Sequence, residues 1–124
     1  MSIRVEKQLF SGESEGDDKE YAFGIELLKM IYGREYFYAI TKKMEPYTKD
    51  EKMAVKLLDA LERYMRNCMV EGPKNTGIDK RMAYRNVKYI EEARKDLRYN
   101  VSPRYALRNL AIKIGGRNEE GSRS

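Results

Sequence analysis

Downstream of residue 50 the apolar residues recur every three or four positions, and helix breakers cut the runs apart. α-Helices bury such a pattern along one face, and strands cannot. Ala54, Leu57, Leu58, Leu61, Met65, Cys68 and Met69 make up the first run. Thr48 precedes it with Glu51 three residues on, a capping-box pattern, and Gly72-Pro73 closes it. The spacing predicts a helix reaching about Val70, about 33 Å long, followed by a loop over EGPKNTG. A further helix is expected from about Asp79 to Tyr99, where Ala83, Val87, Ile90, Ala93 and Leu97 keep steps of four and three. Asn100 ends it. Ser102 then caps a last helix with Pro103 at its first position, where a missing N–H does no harm. Ala106, Leu107, Leu110, Ala111 and Ile114 give that helix one apolar face.

Upstream the pattern is shorter. Asp17 or Asp18 is expected to cap a first helix running to about Tyr32, with Ala22, Ile25, Leu28 and Tyr32 along its stripe and Gly33 as its breaker. A second helix, about Arg34 to Glu45, presents Phe37, Ile40 and Met44 before Pro46 stops it. No stretch alternates like a strand. The expected fold is all-α: a single compact bundle of about five helices over residues 19–114. Residues 1–18, ending in the small and acidic SGESEGDD, read as a flexible leader, and 115–124 as a disordered tail.

Composition narrows function. The chain has 124 residues, no histidine and one cysteine. Ser-His-Asp and Cys-His catalysis both need an imidazole. A Cys/His zinc site needs several such ligands, and one cysteine cannot form a disulfide within the chain. No convergent nucleophile, base and oxyanion donor can be assembled, so neither enzyme activity nor a cofactor or metal is expected. MSIRVEKQLF lacks an apolar run of signal-peptide length, and no stretch approaches the ~20 apolar residues of a membrane span. A cytoplasmic protein is expected, with no membrane contact.

The formal net charge of +5 is unevenly spread. Residues 1–20 hold three basic and six acidic residues, leaving 22 against 14 in the rest. Within 80–113, ten Lys and Arg face only Glu91, Glu92 and Asp96. Arg94, Lys95, Arg98 and Arg104 would meet phosphates if they shared a face, which makes a small basic nucleic-acid-binding protein the alternative reading. The plainer explanation is a solvated helix exterior, with Glu91 and Lys95 an ordinary i,i+4 pair. Tyr32, Tyr36, Phe37 and Tyr38 read mainly as core or rim of the first two helices. Cys68 lies in an apolar stripe with Met65 and Met69 and reads as a buried, inert thiol.

One segment carries a resemblance. YIEEARKDLRYNVSPRYALRNLAIKI, residues 89–114, resembles the C-terminal collar domain of the delta-prime subunits of the bacterial DNA polymerase III clamp loader, or of their gamma-type relatives. That family's signature is an "IEEARKDL" helix, an "N-V-N-P" corner and a closing helix of small and leucine-type residues. The likeness runs through Ile90, Ala93, Leu97, Asn100, Val101, Pro103, Arg104, Ala106, Leu107 and Leu110. LLDALERYMRNCMV (57–70) is similar to the family's long helix, in which an aromatic precedes an Arg-Asp pair, here Tyr64, Arg66 and Asn67. More weakly, LFSGESEGDDKEYAFGIELL resembles the passage into the first collar helix. Ser102 stands where the family commonly has asparagine, and Arg108 where it often has glutamate.

The resemblance implies a non-catalytic oligomerisation domain acting in DNA replication. Collar domains of these subunits pack side by side in a ring that holds ATPase modules together. The chain contains no G-x-x-x-x-G-K-[ST] to cradle nucleotide phosphates, so it reads as an excised collar or a stand-alone relative in which ATP hydrolysis does not reside. Implied partners are other clamp-loader subunits, gamma/tau and delta. Weak self-association of the isolated domain and only indirect contact with DNA follow. Tyr64, Arg66, Asn67, Asn100, Arg104 and Arg108 are the implied interface residues.

Overall fold

The computed structural model describes residues 19–72 and 76–116. They form five α-helices and no strand: α1 over 19–32, α2 Phe37–Met44, α3 Glu51–Glu71, α4 Lys80–Arg98 and α5 Pro103–Gly115. A 3-10 turn, Glu45–Tyr47, joins α2 to α3. The all-α bundle is therefore the architecture read from the helix punctuation. The expected leader and residues 117–124 of the expected tail lie outside the described residues. Gly115 and Gly116, placed in that tail by sequence, are instead the last turn and left-handed cap of α5.

Most helix ends follow local chemistry. Asp79 caps α4 by accepting from the Met82 N–H at 2.8 Å, and Ser102 caps α5 by accepting from Tyr105 at 3.1 Å. Asn100 adopts the left-handed conformation, φ 67°. Its N–H reaches the Leu97 carbonyl and the Val101 N–H reaches Asp96, a Schellman ending that satisfies two orphan carbonyls. Two expectations need correction. Asp50, not Thr48, caps α3 by accepting from Met53 at 2.8 Å, while Thr48 donates back to the Glu45 carbonyl and closes the 3-10 turn. α2 starts at Phe37, not at Arg34, because Arg34 itself takes the left-handed conformation, φ 63°. Glu35 N–H then bonds Met30 O in a second Schellman ending. Gly33 is needed there for space, since a Cβ would lie 2.7 Å from the Lys29 carbonyl oxygen.

Contacts fix the packing. Arg94 of α4 meets Asp59 and Glu62 of α3, whereas Asn86 meets Met65, so α3 and α4 run antiparallel. α1 is antiparallel to α3 as well: Tyr21 bonds Asn67, and Gly24 leaves only 3.1 Å between the position of its absent Cβ and Leu61. α5 returns along α4, tied by Lys113 to Glu92. The core is Leu27, Leu28 and Ile31 of α1, Ile40 and Met44 of α2, the α3 stripe save half-buried Met69, the expected face of α5, and that of α4 except that Asn86 is buried and Val87 only half-buried. Each such Leu or Ile contributes about 1.5–3 kcal/mol by burial. The α1 stripe is turned from its expected phase: Ala22 is exposed, Ile25 and Tyr32 are half-buried, and Gly24, Leu27, Leu28 and Ile31 face inward. Cys68 is buried in the core beside Met65, as expected. No helix among the described residues is long and apolar enough to cross a membrane.

Candidate functional site

The residues singled out by sequence separate into internal and surface groups. Tyr64 is internal. Its ring is buried and its hydroxyl bonds Thr76 Oγ1 at 2.7 Å; burial pushes its phenol up, against the pull of that bond. Asn67 donates to the Tyr21 hydroxyl at 2.7 Å, tying α3 to α1. Arg66 is exposed but lies along its own helix, bonding Glu62 at 2.7 Å. Tyr64 and Asn67 thus brace the bundle while Arg66 pairs within α3, and the three do not form one outward patch. The sequence signal at α3, an aromatic followed by polar residues, reports an inter-helix brace.

Arg94 also turns inward. Its two terminal nitrogens reach Asp59 at 2.8 Å and Glu62 at 2.5 Å. Burial pushes the Glu62 carboxyl up, but the bonds from Arg66 and Arg94 outweigh it and hold the group below its usual range. Burial likewise disfavours the Arg94 charge, and the two carboxylates outweigh that and raise its pKa. A guanidinium committed to two carboxylates is not available to phosphate. Lys95, Arg98 and Arg104 remain exposed, so the four residues nominated for phosphate contact do not act as one set.

The remaining nominated residues do gather. Asn100, Arg104 and Arg108 are exposed around the α4–α5 corner. Tyr99 beside Asn100 is 71 % exposed, and Tyr105 on α5 is also exposed. The Arg108 guanidinium lies 5.9 Å from the Phe37 ring centroid, which joins this face to the start of α2. There Tyr36 is 85 % exposed and Tyr38 nearly as much, contrary to their expected place in the core or rim. Of that tyrosine set only Tyr32 and Phe37 are half-buried, Tyr32 accepting from Asn86 at 2.9 Å. Sequence reasoning missed this surface because neighbouring tyrosines on a short helix look alike until the helix start is known.

The corner, α5 and the start of α2 therefore carry exposed Tyr and Arg, with Arg108 over Phe37 as the link between them. Those residue types dominate the energetics of protein interfaces, since they offer large rigid area with polar tips. Among the described residues no three His, Cys, Asp or Glu side chains gather to hold a metal. The void under Leu27, Leu61 and Leu107 measures about 10 Å³, whereas an open depression of about 600 Å³ runs along Asp50, Glu51, Lys52, Val55 and Lys56 at the start of α3. No protein-family model matches the chain, and no curated protein or solved structure proves similar to it.

Proposed function

We propose that this bundle is a non-catalytic assembly domain of the clamp-loader collar type, delta-prime or gamma-like, that joins partner subunits in DNA replication. The observation that carries the reading is the exposed Tyr and Arg face over the α4–α5 corner, α5 and the start of α2. A folded bundle gains nothing from leaving four tyrosines of one region in water, and a protein neighbour would bury them. The resemblance supports the same surface, because its most specific segment spans α4, the corner and α5. The left-handed Asn100 and the Ser102-Pro103 start of α5 set the angle at which that face is presented.

The test is a mixing experiment. The full chain is run by size-exclusion chromatography with the gamma/tau and delta clamp-loader subunits of its own source, separately and together. Co-elution in a defined complex is the expected result. Elution of the chain apart from both subunits at micromolar concentration overturns the proposal.

A further inference from the structure

We infer that the N-terminal half of α4 is a contact surface for single-stranded DNA, built from Lys80, Arg81, Arg85 and Lys88 around the exposed ring of Tyr84. This surface differs from the Arg94-centred set above and lies about 22 Å along α4 from Tyr99. It is therefore separate from the proposed assembly face.

Four observations lead there. Arg81, Tyr84, Arg85 and Lys88 follow the i, i+3, i+4, i+7 pattern of one helix face, and all four are exposed, as is Lys80. None of the four cations is in an ion pair among the described residues. The one acidic neighbour at the helix start, Asp79, is occupied by the Met82 N–H, and Glu91 and Glu92 lie about a turn beyond.

The placement also runs against stability. The first turn of α4 holds no acidic residue and begins Lys80-Arg81. Cations at that end oppose the helix dipole, and Arg81 repels Arg85 one turn on. The Asp79 cap offsets part of the dipole cost, but no ion pair among the described residues offsets the repulsion between these cations. A local charge rule broken at a helix start is what a functional surface produces, and like-signed charge held in no ion pair fits a polyanion.

Tyr84 selects the kind of polyanion. Its ring is 56 % exposed, with Lys88 Nζ 4.9 Å from its centroid. Unpaired bases stack on such a ring while cations track the phosphates. A duplex hides its base faces, and an acidic peptide has none. Stacking on Tyr84 and cation contact with phosphates need no ribose 2′-hydroxyl, so a DNA single strand meets every requirement of the patch.

Anisotropy titrations of the full chain against a labelled 20-nucleotide oligo-dT test this in low salt. Binding is expected, weakening steeply with salt. Changing Lys80, Arg81, Arg85 and Lys88 together to Gln is expected to weaken it at least about tenfold and flatten the log–log salt slope by about 2–3. Tyr84→Ala is expected to weaken it about fivefold with the slope unchanged. A charge-matched control, Lys42, Lys49, Lys52 and Lys56 to Gln, retains wild-type affinity, and circular dichroism verifies that every variant is folded. Equal losses in patch and control reduce the effect to net charge and overturn the inference. So do duplex binding as tight as single-stranded binding, oligo-rU bound tenfold tighter, or a poly-glutamate competitor as effective as unlabelled oligo-dT. No binding at low salt overturns it outright, and leaves the subunit-mixing result untouched.

Discussion

Replacing Arg94 by Gln removes the cation that joins the middle of α4 to α3. Three exposures set the size of the effect. Arg94 and Glu62 are 22 % and 17 % exposed and meet at 2.5 Å, while Asp59 is 60 % exposed. The Asp59 arm, in water, contributes at most about 1 kcal/mol. The Glu62 arm is a half-buried charge-assisted bond, about 1.5–3 kcal/mol. Arg66 remains on Glu62 at 2.7 Å and offsets part of the loss. The expected net destabilisation is about 1.5–2 kcal/mol, or a Tm lower by about 10 °C for a domain of this size. Urea denaturation followed by circular dichroism measures it, in a double-mutant cycle with Glu62→Gln. Because the folded pKa of Glu62 is lowered, its contribution is present above the usual glutamate pKa and is lost as pH falls through the folded value. A coupling of about 1 kcal/mol at pH 7 should therefore fade under strong acid. A coupling near zero at pH 7, or one that persists unchanged after Glu62 protonates, refutes the reasoning. The same Arg94→Gln protein should bind oligo-dT like the wild type, since Arg94 is committed to carboxylates.

Other positions give sharp expectations. Burial, reinforced by the Glu20 carboxylate at 2.9 Å, pushes the Tyr47 phenol up to about 12. Its contribution holds below the ordinary tyrosine pKa and is lost as pH rises through about 12; Tyr47→Phe should cost about 1–2 kcal/mol at neutral pH and abolish that alkaline loss in pH-dependent denaturation. Asn86 is fully buried and its Oδ1 has no hydrogen-bond partner among the described residues. Asn86→Leu, of similar volume, is expected to raise stability by about 1 kcal/mol in urea titrations, with Tyr32 left at the bundle rim. At the α4–α5 corner, Asn100→Gly should leave stability level or slightly higher, whereas Asn100→Val should cost at least about 1 kcal/mol because a β-branched residue resists positive φ.

Period and punctuation made the fold legible. α4 and α5 read correctly because Asp79, Asn100 and Ser102-Pro103 act within a few residues of themselves. The α3 cap was harder: Thr48 and Asp50 both precede the helix, and only the 3-10 turn decides that Thr48 serves the turn. α1 was misphased because Ala22 is apolar yet exposed, while inward Gly24 carries no hydropathy signal and exists to admit Leu61. The surface was least legible. Charge counts cannot tell Arg94, which faces two carboxylates across a helix pair, from Arg85, which faces water. Likewise Tyr64 and Tyr99 are one residue type in sequence, one a core brace and the other an outward ring.

The assembly reading stands or falls on sedimentation velocity of the chain with its clamp-loader partners, wild type against Tyr99→Ser/Tyr105→Ser/Arg108→Glu. These three positions are exposed, so the variant should fold normally by circular dichroism. The account predicts a faster-sedimenting complex for the wild type and its loss in the variant. A wild-type chain that sediments alone, or a variant that assembles equally well, contradicts it.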